Sequence, residues 1–98
     1  MPFRTDQKLQ QHFEDHGHEF GVATPDEYLA MAERFMNGPM GADTLDCERP
    51  QGGYYRYDTV TEEYGAVRED GFIATYMIPD PLVHGYPTNF DYFESNCA

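Results

Sequence analysis

Residues 63–79, EYGAVREDGFIATYMIP, carry two short runs of aromatic and β-branched residues on either side of a tight-turn signal. Asp70 and Gly71 favour a short hairpin connection, so Glu63 to Arg68 and Phe72 to Ile78 are predicted to be antiparallel neighbours. Upstream, Thr44 to Arg49 and Gly53 to Tyr57 have the same character and are separated by turn residues. Short loops force antiparallel pairing, and four such runs in succession make a β-meander. A sheet of this kind needs an apolar cover on at least one face.

The cover comes from the N-terminal half. In TPDEYLAMAERFMNG, residues 24–38, Thr24 is placed to cap a helix, Pro25 suits its first position and Glu27 completes a capping box. Asn37 and Gly38 end it. Tyr28, Leu29, Ala32, Phe35 and Met36 recur at helical spacing, which is the pattern of a face laid on a core. Thr5 or Asp6 starts an earlier helix that runs to about His16, with Gly17 as a left-handed stop. The expected class is α+β, with two N-terminal helices packed on a four-stranded antiparallel β-meander. Within one domain, residues 1–98, the helical part is 5–37, the sheet part 44–78, and 79–98 an irregular tail pinned back onto the body.

Composition narrows the function classes. Eighteen Asp and Glu face six Lys and Arg, a formal net charge of −12, which argues against nonspecific gripping of nucleic acid. Eight tyrosines and seven phenylalanines make the core aromatic. No segment approaches the roughly 20 apolar residues of a membrane span, and the first residues lack the apolar run of a signal peptide. A cytoplasmic protein, or one delivered to a target cell's cytoplasm, is expected. Cys47 and Cys97 have no motif spacing and are expected to be free thiols.

The stretch HFEDHGHEF, residues 12–20, holds three of the four histidines. On a helical wheel Leu9, His12, Phe13 and His16 fall within about 100° of arc, so two histidines share the apolar face. Three readings stay open for them. They are satisfied core groups, a proton-transfer pair, or two helical metal ligands at i, i+4 spacing, although no metal-site partner set follows. His18, after the glycine, reads as an exposed loop residue. Arg49, Arg56 and Arg68 lie in or beside predicted strands, and alternation puts Thr75 on one face with Ile73 and Met77, a hydroxyl in need of a partner. Histidines on a helix laid across a sheet bearing arginines and a threonine would collect the groups that metal-free phosphodiester cleavage requires.

The ordered segments HFEDHGHEFG, TPDEYLAMAERF, RPQGGYYRYD, TEEYGAV and EDGFIATYMIP, spanning residues 12 to 79, resemble a group of small bacterial and phage-associated domains. Those domains are assigned to the barnase, EndoU, colicin and RelE-like ribonuclease superfamily. The resemblance implies helices followed by a four-stranded meander. It also implies metal-independent RNA cleavage, in which a ribose 2′-hydroxyl attacks the adjacent phosphorus. It places His16 as acid or base with His12 beside it, Arg49 and Arg56 on the phosphate, and Thr75 on a non-bridging oxygen. RNA and an immunity or carrier protein are the implied partners, with no cofactor or metal. Tyr92 is a further candidate from the tail. The alternative is a non-catalytic, acidic protein-interaction module on the same fold.

Overall fold

In the computed structural model, which describes residues 2–98, α1 (Asp6–His16) passes through a 3₁₀ turn (Gly17–Phe20) into α2 (Pro25–Asn37). Four strands follow: β1 (Thr44–Glu48), β2 (Tyr54–Asp58), β3 (Tyr64–Val67) and β4 (Ile73–Met77). They form one antiparallel sheet in sequential order, the expected meander. Both helix starts behave as their side chains dictate. The Thr5 hydroxyl accepts from the Lys8 amide, and the Thr24 hydroxyl accepts from the Glu27 amide while donating to the Glu27 carboxylate.

The helices cover one face of the sheet. Tyr28, Ala32 and Met36 of α2 meet Val67, Ile73 and Tyr76, and Phe3 joins them; all are buried. The Tyr28 hydroxyl donates to the Tyr76 carbonyl, satisfying a phenol that would otherwise be stranded in the core. Leu9 and Phe13 of α1 pack on the edge of this cluster, although α1 has no fully buried residue. Gly17 is not the left-handed stop expected from its position. It is right-handed, φ −57°, and the positive φ falls instead on Gly21. Gly17 is needed for space, since a Cβ there would lie 2.7 Å from the Phe13 ring.

The opposite face is also covered, by a segment expected to be irregular. Residues 79–98 contain a short helix, α3 (Pro81–His84), and a longer one, α4 (Asn89–Asn96). Phe93 of α4 packs with Tyr57 and Tyr64 in a second buried cluster. Prolines here start helices instead of forbidding them: Pro81 follows the Asp80 cap, and Pro87 precedes Thr88, whose hydroxyl accepts from the Asp91 amide. Cys47 and Cys97 are bonded, with Cα atoms 5.7 Å apart, and are not free thiols. Fifty residues separate them, so nothing local announces the pair; the meander and α4 bring them together. The Ala98 amide donates to the Glu48 carbonyl, and Pro2 and Phe3 lie along β4, so both sheet edges are partly masked.

Helix layer and sheet are joined through Arg56, which is 7% exposed. Its Nε and Nη2 donate to the two Asp46 carboxylate oxygens at 2.7 and 3.0 Å. Its Nη1 donates to the carbonyls of Phe35 and Gly38 at the C-terminal end of α2.

Two outcomes follow for stability. Arg56→Met should lower the urea-derived unfolding free energy by about 2–4 kcal/mol, since it strands the α2 carbonyls and a partly buried carboxylate. Reducing the disulfide, or Cys47→Ser, should cost about 4 kcal/mol in the chain-entropy account of a loop this long. An unchanged urea midpoint in dithiothreitol would contradict the second.

Candidate functional site

The N-terminal residues, the start of α1 and the β1–β2 and β3–β4 turns converge on a cleft of about 410 Å³. Among the described residues it gathers Arg4, Lys8, Arg49 and Arg68, four of the six lysines and arginines in the chain. His12 lines it, together with Gln51 and Glu69. The sequence places each group there for a local reason. Phe3 is anchored in the core and the Ile73 amide donates to the Pro2 carbonyl, which holds Arg4 at the rim. Lys8 precedes His12 by one helical turn and shares its side of α1. Arg49 leaves β1 into the turn closed by Arg49 N to Gly53 O, and Arg68 leaves β3 into the turn closed by Gly71 N to Arg68 O.

The wall between these turns depends on Gly53. Its φ is +82°, and a Cβ there would lie 2.0 Å from the Val67 carbonyl oxygen, so only glycine lets the β1–β2 loop pack against the β3–β4 turn. Two cleft groups have buried polar atoms without a protein partner: Nδ1 of His12 and Nε of Arg49. Arg49 otherwise rests over the Tyr55 ring at 5.5 Å and reaches the Val67 carbonyl at 3.5 Å. Both residues line the cleft, and a buried polar atom left without a protein partner calls for a water, an ion or a ligand to satisfy it. Burial pushes the His12 imidazole below its ordinary value of 6.5, and the neighbouring His16 and Lys8 push the same way against Asp15. The ring is therefore neutral near pH 7, able to take a proton.

The expected site residues divide. His12 and Arg49 meet in the cleft. His16 lies one turn further along α1, its ring 6.1 Å from that of His12, and lines a different hollow. Its Nδ1 contacts Glu19 at 2.9 Å; a carboxylate only accepts, so Nδ1 carries the proton and Nε2 is left free. Arg56 is on the helix-covered face with its guanidinium committed to Asp46 and the α2 carbonyls, away from the cleft lining.

Thr75 is on the other face. The β3–β4 register shifts beside Val67, which pairs with Ile73 while Ala66 pairs with Thr75. Ala74 is the extra residue, so Ile73 joins Tyr76 under the helices while Thr75 and Met77 turn toward α4. The expected common face for Ile73, Thr75 and Met77 is thereby broken. His18 is exposed, as expected. No three or more His, Cys, Asp or Glu residues among the described residues are grouped to hold a metal ion. Arg4, Lys8 and Glu69 escaped the motif reading; the i, i+4 spacing of Lys8 and His12 was the available signal.

No helix among the described residues is long and apolar enough to cross a membrane. No family model matches the chain, and no curated protein matches it. Among solved structures, the chain is similar to a ribonuclease from Escherichia coli complexed with its inhibitor protein, with a TM-score of 0.65 at 14% identity over 92% of this chain and 99% of that one. At that identity the likeness is one of fold: this chain folds like a bacterial ribonuclease.

Proposed function

We propose that the protein is a metal-independent endoribonuclease, of the kind carried by toxins and phage-associated systems. One observation carries the reading: an acidic chain places most of its cations in a single cleft beside a neutral histidine, on a ribonuclease-like fold. In this scheme Arg49 and Arg68, with Lys8 and Arg4 behind them, neutralise the scissile phosphate. His12 removes the 2′-hydroxyl proton, and that oxygen attacks phosphorus. The P–O5′ bond breaks to leave a 2′,3′-cyclic phosphate, and the departing oxygen collects a proton from solvent. His12 takes the role of base that the motif resemblance gave first to His16, because His12 is the histidine in the cationic cleft. In this scheme Arg56, committed to Asp46 and the α2 carbonyls, and Thr75, on the other face of the sheet, have no role on the phosphate.

The same charge separation supports a partner. An inhibitor or carrier protein presenting carboxylates to the cleft would silence the enzyme until delivery, and the Cys47–Cys97 bond suits passage through an oxidising compartment. The second reading, a non-catalytic acidic interaction module, is favoured by Leu82 and Val83, which are 94% and 84% exposed.

Wild-type protein in EDTA should cleave single-stranded RNA to cyclic-phosphate ends. His12→Gln should lower kcat/KM by about 10²- to 10⁴-fold, and Arg49→Ala by about 10²-fold. Absence of cleavage by folded wild type across RNA substrates would leave the interaction module standing. The depressed His12 value also sets a pH dependence. Between that value and 6.5 the unfolded chain binds more protons than the native one, so stability is full above the window and falls as pH drops through it. From about pH 7.5 to about pH 5.5 the wild type should lose more stability than His12→Gln in urea titrations.

A further inference from the structure

We infer that the hollow beside His16 is a nucleobase subsite that takes bases presenting N–H donors, an inference that rests on the ribonuclease reading of the neighbouring cleft. The hollow is about 140 Å³ and is walled by Met77, Ile78, Pro79 and Val83. It adjoins the cationic cleft through the stacked rings of His12 and His16. A nucleotide whose phosphate is held by Arg49 and Arg68 therefore has a place for its base one helical turn further along α1.

The chemistry of the two spaces is opposite. No lysine or arginine lines the hollow, and two carboxylates, Glu19 and Asp80, do. Such a space repels phosphate and admits an uncharged ring. Flat partners are present: the rings of His84 and Tyr92 stack at 4.4 Å with an angle of 12° and form one side. Stacking on such faces is the general means of holding an unpaired base. Both histidine nitrogens of His84 are already used, Nδ1 by the Tyr86 amide and Nε2 by Asn89, so its contribution is the ring face.

Selection comes from the carboxylates. Glu19 is fixed at both oxygens, one on His16 Nδ1 and the other receiving the Ile78 amide at 2.7 Å, so it points without rotating. Asp80 is exposed and lines the hollow, and one of its oxygens caps α3 by accepting from the Leu82 amide at 3.0 Å. Carboxylates accept and never donate near neutral pH. Guanine, adenine and cytosine offer amino N–H groups to them. Uracil offers two carbonyls around one N–H and leaves oxygen facing oxygen.

The test separates this subsite from cleavage by using free nucleosides, which contain no phosphodiester. In NMR titrations of the wild-type protein, guanosine, adenosine or cytidine should shift the methyl signals of Met77, Ile78 and Val83, with uridine at least tenfold weaker. Inorganic phosphate should instead shift the side-chain signals of Arg49 and Arg68. Asp80→Asn, which keeps an equally good helix cap, should reduce the preference for amino-bearing nucleosides by about tenfold. Unmoved methyl signals with all four nucleosides, or uridine binding as well as the rest, would overturn the subsite even if RNA is cleaved. Selective nucleoside binding by a protein that cleaves no RNA would uphold the subsite and overturn the ribonuclease reading.

Discussion

The Arg56 guanidinium is the joint on which the arrangement depends. One side of its fork grips the Asp46 carboxylate on β1, and the other gathers carbonyls at the end of α2. Nearby, the Tyr54 hydroxyl donates to the Met36 carbonyl at 2.7 Å. A helix end is the place where carbonyls lack intrahelical partners, so two β2 side chains supply what α2 cannot. The contact does more than satisfy polar groups. It sets where α2 lies across the sheet, and α1 packs against α2, so the position of His12 over the β-turns follows from it.

The second organising feature is the uneven distribution of charge. With four cations in the cleft, only Arg34 and Arg56 remain against the carboxylates elsewhere, and Arg56 is tied to Asp46. Outside the cleft the surface carries a large excess of carboxylates, so the cleft is where a polyanion would meet the least repulsion. Clefts with low-dielectric walls focus field of this kind, which favours one docking orientation over general adhesion. The net charge alone argued against nucleic-acid binding; the distribution turns the same acidity into a source of selectivity.

How much of the site was legible varies residue by residue. Arg49 was legible because it leaves a strand at a turn rich in glycine, and His12 because the apolar stripe of α1 carries it inward. Arg56 was indistinguishable from Arg49 in the sequence, yet alternation along β2 sends it under α2. Thr75 was misplaced by one extra residue, Ala74, which no local pattern marks, and a single bulge exchanges the two faces of a strand. His16 and His12 were equivalent on the wheel. They are distinguished by what stands opposite each: cationic turns for one, Glu19 and the α3 region for the other.

The sequence by itself determined the first two helices, the four strands and their order, though not α3 and α4. Helix caps at Thr5 and Thr24, the 3.6-residue stripe of α2, and the Asp70–Gly71 turn are local signals that mark where the elements begin and end, while packing supplies most of their stability. Tertiary structure decided everything that joins residues far apart in the chain. It closed Cys47 on Cys97 across fifty positions, seated α4 on the sheet's second face, and drew Arg4, Lys8, Arg49 and Arg68 into one cleft. The physical reason is that caps and turns act within four or five residues, whereas burial, charge focusing and strand register depend on which surfaces the completed sheet brings together.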